Sequence, residues 1–161
     1  MMHRIGQGWD RHRLEPGRRC VLGGVVFADS ELGPVAHSDG DVVCHAISDA
    51  LRGALSLGDI GQHFPDTDPQ YAGADSMDLL GRVQALIAER GYTVVNVDCT
   101  IIAEAPKIAP RSAAMQEILA RTLKVEPDCV SVKATRGEGV GPEGRRECIT
   151  VQAIALLQAQ S

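Results

Sequence analysis

Aromatic residues are scarce, at 3% of the 161 residues with a single Trp. That leaves few platforms on which single-stranded nucleic acid could stack its bases. A basic surplus is missing too, because 16 Lys and Arg face 21 Asp and Glu and the net charge is −5. Nucleic acids and anionic membranes select for the opposite sign, so both are excluded as partners. No apolar run approaches the ~20 residues that span a bilayer; the longest, Ile149 to Leu157, is interrupted by Gln152. No basic stretch followed by an apolar segment opens the chain, so no secretory signal is expected. Cys20, Cys44, Cys99, Cys129 and Cys148 never form a CxxC pair. Zinc ribbons and disulfide frameworks need paired spacing, so these thiols are expected to be small core residues in a reducing compartment. The absences together predict a soluble, cytoplasmic protein with one domain over residues 1–161, whose 44% hydrophobic content supplies one core.

Segments rich in β-branched residues predict strands at Arg4–Trp9, Cys20–Phe27, Tyr92–Ala103, Val130–Thr135 and Cys148–Leu157. Gly23-Gly24 suggests a bulge or a close backbone approach within the second. Helices are expected over 41–57, from Ser76 as N-cap to Gly91 as C′ residue, and from about Pro110 to before Pro127. This order implies an α/β (α+β) fold, one sheet with helices on a face.

The residues that packing does not explain are acidic or histidine. Asp10 and His12 sit two apart on an extended segment and so project to the same side. Asp41, His45 and Asp49 recur at helical spacing and are expected to form one polar stripe, with Asp49 able to orient the ring of His45. Asp10, His12 and His45 would make three metal ligands, leaving a fourth position open for substrate. His37-Ser38 precedes a helix start, where free N–H groups and the dipole favour phosphate. An acidic, proline-marked loop follows at Gly58-Asp59-Ile60-Gly61 and Phe64-Pro65-Asp66-Thr67-Asp68-Pro69 and suits hydroxyls of a polyol. Lys133-Ala134-Thr135-Arg136-Gly137-Glu138 and Gly144-Arg145-Arg146 offer cations and backbone amides to a polyphosphate. A phosphate site among so many carboxylates makes sense only if divalent cations bridge the two.

Four stretches repeat a known pattern in order: Arg4-Ile5-Gly6-x-Gly8-x-Asp10-x-His12; Ala36-His37-Ser38-Asp39-Gly40-Asp41 through His45; the acidic loop; and Asn96-Val97-Asp98, Ala105-Pro106-Lys107 and Val132-Lys133-Ala134-Thr135. The chain thereby resembles the 2-C-methyl-D-erythritol 2,4-cyclodiphosphate synthases of non-mevalonate isoprenoid biosynthesis. The resemblance implies a lyase whose cytidine diphosphate substrate cyclises onto its own phosphate and releases CMP. It implies zinc on Asp10, His12 and His45, with Asp10 and His12 also near substrate, and a second cation, Mg²⁺ or Mn²⁺, placed by Glu138. It implies phosphate contacts from His37 and Ser38, with His37 and Arg136 as catalytic residues. It assigns the methylerythritol part to Asp59, Ile60, Gly61, Phe64, Pro65, Asp66, Thr67 and Asp68. The cytidine and diphosphate fall to Ala103, Glu104, Ala105, Pro106, Lys107, Ile108, Ala109, Ala134, Thr135 and Arg136, with Arg145 beside them. It also implies a homotrimer, a β-prism with sites between subunits.

The chain departs from that pattern where Arg136 and Gly137 replace a Thr-rich run, where Pro142 replaces an aromatic and where Arg146 replaces Gly. The residues alone leave two other readings open: a zinc phosphohydrolase using metal-bound hydroxide, and a nucleotide-binding module without turnover.

Overall fold

The computed structural model describes residues 2–58 and 73–160. In chain order its elements are β1 (His3–Pro16), β2 (Val21–Leu22), β3 (Val25–Val26), β4 (Leu32–Pro34), α1 (Val42–Ala54), α2 (Ser76–Glu89), β5 (Tyr92–Ile102), α3 (Ser112–Leu123), β6 (Val130–Thr135) and β7 (Cys148–Ala159). A five-stranded sheet runs in the order β4-β1-β7-β5-β6, antiparallel except for the parallel β5–β6 pair. Besides a single helical turn at Gly141–Gly144, the three long helices among the described residues pack on one face, α1 across β1 and β7, α3 beside β6, and α2 against both helices. Their apolar sides and the inward sheet residues form one buried cluster, including Ile47, Leu51, Leu80, Leu119, Ile101 and Val151.

β1 extends past the expected Trp9 and stays paired with β7 in continuous register from His3↔Gln158 to Arg13↔Cys148. The apolar pattern hides this length because the helix-facing positions are Gly6, Gly8, Asp10 and His12. Glycine at the first two has a physical cause. A Cβ on Gly6 would lie 1.9 Å from the Ala50 carbonyl oxygen, and one on Gly8 would lie 1.8 Å from that of Ala46. The backbone of α1 therefore rests directly on the backbone of β1, and no side chain fits between them.

The segment expected as one strand with a bulge is a hairpin. Gly23 and Gly24 both take positive φ, 56° and 76°, in the tight turn between β2 and β3, a conformation that glycine adopts without a steric penalty. Their N–H groups donate to the Asp41 carboxylate at 2.9 and 2.8 Å, while Val43 and Cys44 donate to it at 3.1 and 3.2 Å. Asp41 is thus the buried N-cap of α1 and leaves the polar stripe expected of it. The stripe fails because a helix N-cap must turn its side chain back onto free N–H groups.

The N-cap of α2 is Asp75, one residue before the expected Ser76, and Gly91 at φ 77° follows its C-cap as expected. α3 begins after a 3₁₀ turn at Ala109–Arg111. All five cysteines are free; four are buried and Cys129 is half-buried. Burial pushes the Cys20 thiol up to about 11 and the Cys99 thiol to about 12, which leaves them protonated and inert. The sheet face away from the helices carries Ile5, Trp9 and Ile154, exposed by 71%, 49% and 47%. Among the described residues, no helix is long and apolar enough to cross a membrane.

Two substitutions separate close approach from ordinary helix propensity. Gly8→Ala is expected to cost at least the ~1–3 kcal/mol typical of overpacking, because backbone blocks backbone. Gly53→Ala in α1, whose nearest neighbour would be 3.8 Å away, is expected to gain about 0.4–1 kcal/mol. Urea unfolding of both variants checks the pair, and equal effects would contradict the packing argument.

Candidate metal centre

Because α1 lies on β1, the residue preceding Ala46 comes to rest over the strand positions that follow Gly8. His45 there meets Asp10 and His12. Asp10 Oδ2 lies 2.8 Å from His12 Nε2 and 3.2 Å from His45 Nδ1, and the two ring nitrogens are 3.2 Å apart. One donor atom from each residue falls within 4.8 Å of the others, and all three side chains are half-buried.

The outward sides of both rings are occupied. His12 Nδ1 donates to the Val35 carbonyl at 2.9 Å, so Nε2 is the nitrogen that faces Asp10. His45 Nε2 contacts Ser76 Oγ at 3.0 Å and Ser38 Oγ at 3.3 Å. Burial alone would raise the Asp10 carboxyl, but hydrogen bonds and charge from His12 and His45 hold it well below the usual carboxylate range. Burial likewise depresses His12, and Asp10 outweighs it, leaving the imidazole above its ordinary value. A carboxylate and two imidazoles converging in this way need positive charge between them. The donor set, two nitrogens and one carboxylate oxygen, fits a tetrahedral zinc-type ion with one position left open.

Asp49 follows His45 by one turn of α1. Ser38 joins the centre through its hydroxyl. His37 is exposed, and its carbonyl accepts from Gly73 N–H at 2.9 Å. Glu138 is exposed at φ 53° and lies outside the three-residue cluster. Asp59, Ile60, Gly61, Phe64, Pro65, Asp66, Thr67 and Asp68 lie outside the described residues.

A second concavity, about 580 Å³, is lined by Ala103–Pro110, Ala134, Thr135, Arg136 and Arg146. It gathers the residues of the expected nucleotide pocket. Arg136 pairs with Glu104 there at 2.5 Å, its guanidinium staying 65% exposed. Arg145 instead pairs with Glu147 at 2.7 Å and is absent from the lining. Arg146 takes its place, held at φ 61° in a left-handed conformation that suits the glycine it replaces. From the sequence Ser76 reads only as a helix N-cap and Asp39 as a turn residue, and neither is assigned a contact with His45.

The family model described as "YgbB family" matches residues 3–158. The chain belongs to that family. A curated relative from Methylococcus capsulatus, 2-C-methyl-D-erythritol 2,4-cyclodiphosphate synthase, is 56% identical over 97% of this chain and 98% of its own length. The protein of the same name from Synechococcus elongatus is 54% identical over 96% of both chains. Among solved structures, that of IspF from Plasmodium falciparum in complex with CDP superposes with a TM-score of 0.87 at 31% identity, covering 99% of this chain and 97% of that one.

His12→Ala and His45→Ala each remove one of three ligands and disturb the order around the rest. Each variant is expected to retain the parental far-UV spectrum and to lose Zn²⁺ after loading and desalting. Full zinc occupancy in either, read by elemental analysis, would contradict the ligand set.

Proposed function

We propose that the chain converts 4-diphosphocytidyl-2-C-methyl-D-erythritol 2-phosphate into 2-C-methyl-D-erythritol 2,4-cyclodiphosphate and CMP. It would act as a lyase in non-mevalonate isoprenoid precursor synthesis. The observation that carries this reading is the Asp10, His12 and His45 cluster, set within a chain that matches the family over nearly its whole length. An oxygen of the 2-phosphate attacks the β-phosphorus and forms the new P–O bond. The bond from that phosphorus to the oxygen bridging the α-phosphate breaks, and CMP departs with the electron pair. The substrate brings its own nucleophile, so the protein supplies position and charge.

Asp10, His12 and His45 hold zinc, and Glu138 helps place Mg²⁺ or Mn²⁺; when bound, such ions polarise the attacked phosphate and neutralise the diphosphate. His37 and Ser38 contact phosphate from the turn before α1. Asp59–Gly61 and Phe64–Asp68 take the methylerythritol part. Ala103–Ala109 and Ala134–Thr135 take the cytidine, a reading supported by the pocket they line and by the CDP complex of the Plasmodium relative. Glu104 supports it further, its carboxylate standing at the pocket wall as an acceptor for a ligand N–H or O–H. Arg136 offers donors to the diphosphate, and Lys107 and Arg146 are further cations at the same pocket.

The single domain works as a homotrimer with sites between subunits. Two features support that assembly: the pocket lining includes none of the three metal ligands, and among the described residues the sheet face bearing Ile5, Trp9 and Ile154 is left exposed. Its free thiols suit the cytoplasm.

Incubating the protein with the cytidine substrate, Zn²⁺ and Mg²⁺ is expected to release CMP and cyclic diphosphate one for one. Inorganic phosphate as product would point instead to a hydrolase. Arg136→Ala is expected to slow turnover about tenfold, the low end for a hydrogen bond to a charged group, given its exposure and its sharing with Glu104. Parental turnover with parental salt dependence would remove Arg136 from the reaction.

A further inference from the structure

His45 turns Nδ1 toward Asp10 and His12, and its other nitrogen lies 3.0 Å from Ser76 Oγ. An imidazole nitrogen beside a hydroxyl can donate or accept, so that contact alone leaves the tautomer open. Asp39 decides it. A carboxylate only accepts, and Asp39 Oδ1 lies 2.5 Å from Ser76 Oγ, so the hydroxyl proton is committed to that bond. The Ser76 oxygen then presents only lone pairs to His45 and must accept from it. Nε2 carries the ring proton, and Nδ1 keeps its lone pair for the cluster. Ser38 Oγ, which accepts from Gly40 N–H at 3.3 Å, lies at the longer distance of 3.3 Å from the same nitrogen.

The relay is held in place by backbone. Asp39 Oδ2 accepts Ser76 N–H at 3.1 Å and Oδ1 accepts Asp41 N–H at 3.1 Å. Asp39 N–H donates to the Ala74 carbonyl at 3.1 Å, and Gly73 N–H to that of His37 at 2.9 Å. The start of α2 is thereby laced to the turn before α1. From this geometry we infer that Asp39 and Ser76 are positioning residues that fix His45 as the Nε2–H tautomer and so keep Nδ1 available to the metal, an inference that rests on the metal reading above. Neither side chain belongs to the metal-ligand set.

The test reads zinc affinity rather than turnover. In Ser76→Ala the acceptor for Nε2–H is removed while the carboxylate and its backbone bonds remain. In Asp39→Asn the shape is kept, but the amide N–H₂ can face Ser76 and turn its hydroxyl proton toward His45. Nε2 then accepts, and the ring proton moves to Nδ1, where it competes with the cation. By chelator competition, Zn²⁺ binding is expected to weaken about ten- to a hundredfold in each variant, the scale of lost outer hydrogen bonds at metal sites. In zinc-loaded protein, a ¹⁵N–¹H spectrum of the imidazoles is expected to show a protected His45 Nε2–H in the parent and fast exchange in Ser76→Ala. Should Asp39→Asn fail to fold, Ser76→Ala decides alone. Parental zinc affinity with a parental Nε2–H signal in Ser76→Ala would overturn the inference and leave the metal site standing. A parent that binds no Zn²⁺ would overturn the metal reading, and this inference with it.

Discussion

The contact between α1 and β1 sets everything else in place. Two glycines on one side of a strand allow a helix backbone to settle where a side-chain layer would ordinarily intervene. That approach places the first turns of α1 over the middle of β1, where the strand has switched from glycine to Asp10 and His12. The helix contributes His45 at that height because Asp41 fixes where it begins. The Asp41 carboxylate ties four backbone N–H groups together, two from the helix and two from the β2–β3 hairpin. A single buried acid thus sets the start of the helix that carries the third ligand.

What results is an electrostatic arrangement with little reason to exist in the absence of a cation. The outward nitrogen of His12 is committed to a carbonyl and that of His45 faces hydroxyls, which turns the remaining nitrogen of each ring toward Asp10. Asp10 and His12 respond to burial and to each other by shifting in opposite directions, the acid down and the imidazole up. A cation held by the three residues would balance this and, with one position left open, would join the centre to a phosphate of the proposed anionic substrate.

Much of this was legible from residues alone. Same-side projection of Asp10 and His12 follows from strand alternation; that Ala103–Ala109, Ala134, Thr135 and Arg136 line one concavity is a tertiary fact that no local spacing encodes. The true length of β1 was hidden because its inner face carries glycine, acid and histidine where apolar residues announce a strand. The hairpin at Gly23 and Gly24 was misread because two-residue strands have no periodicity to detect. Asp41 was misplaced because helical spacing puts an N-cap and a ligand on one stripe although their side chains turn in different directions. Asp39 and Ser76 were invisible for another reason: their meeting with His45 depends on how two separate helix starts are laced together, which no local pattern encodes.

The central claim is that one carboxylate and two imidazoles hold a metal with one site open to substrate. Zinc-edge X-ray absorption of the zinc-loaded protein, recorded with and without CDP, tests it directly. The account predicts two imidazole shells at about 2.0–2.1 Å, oxygen ligands, no sulfur, and a change confined to one exchangeable ligand when CDP is added. A closed four-ligand protein shell, or a sulfur shell near about 2.3 Å, would contradict it.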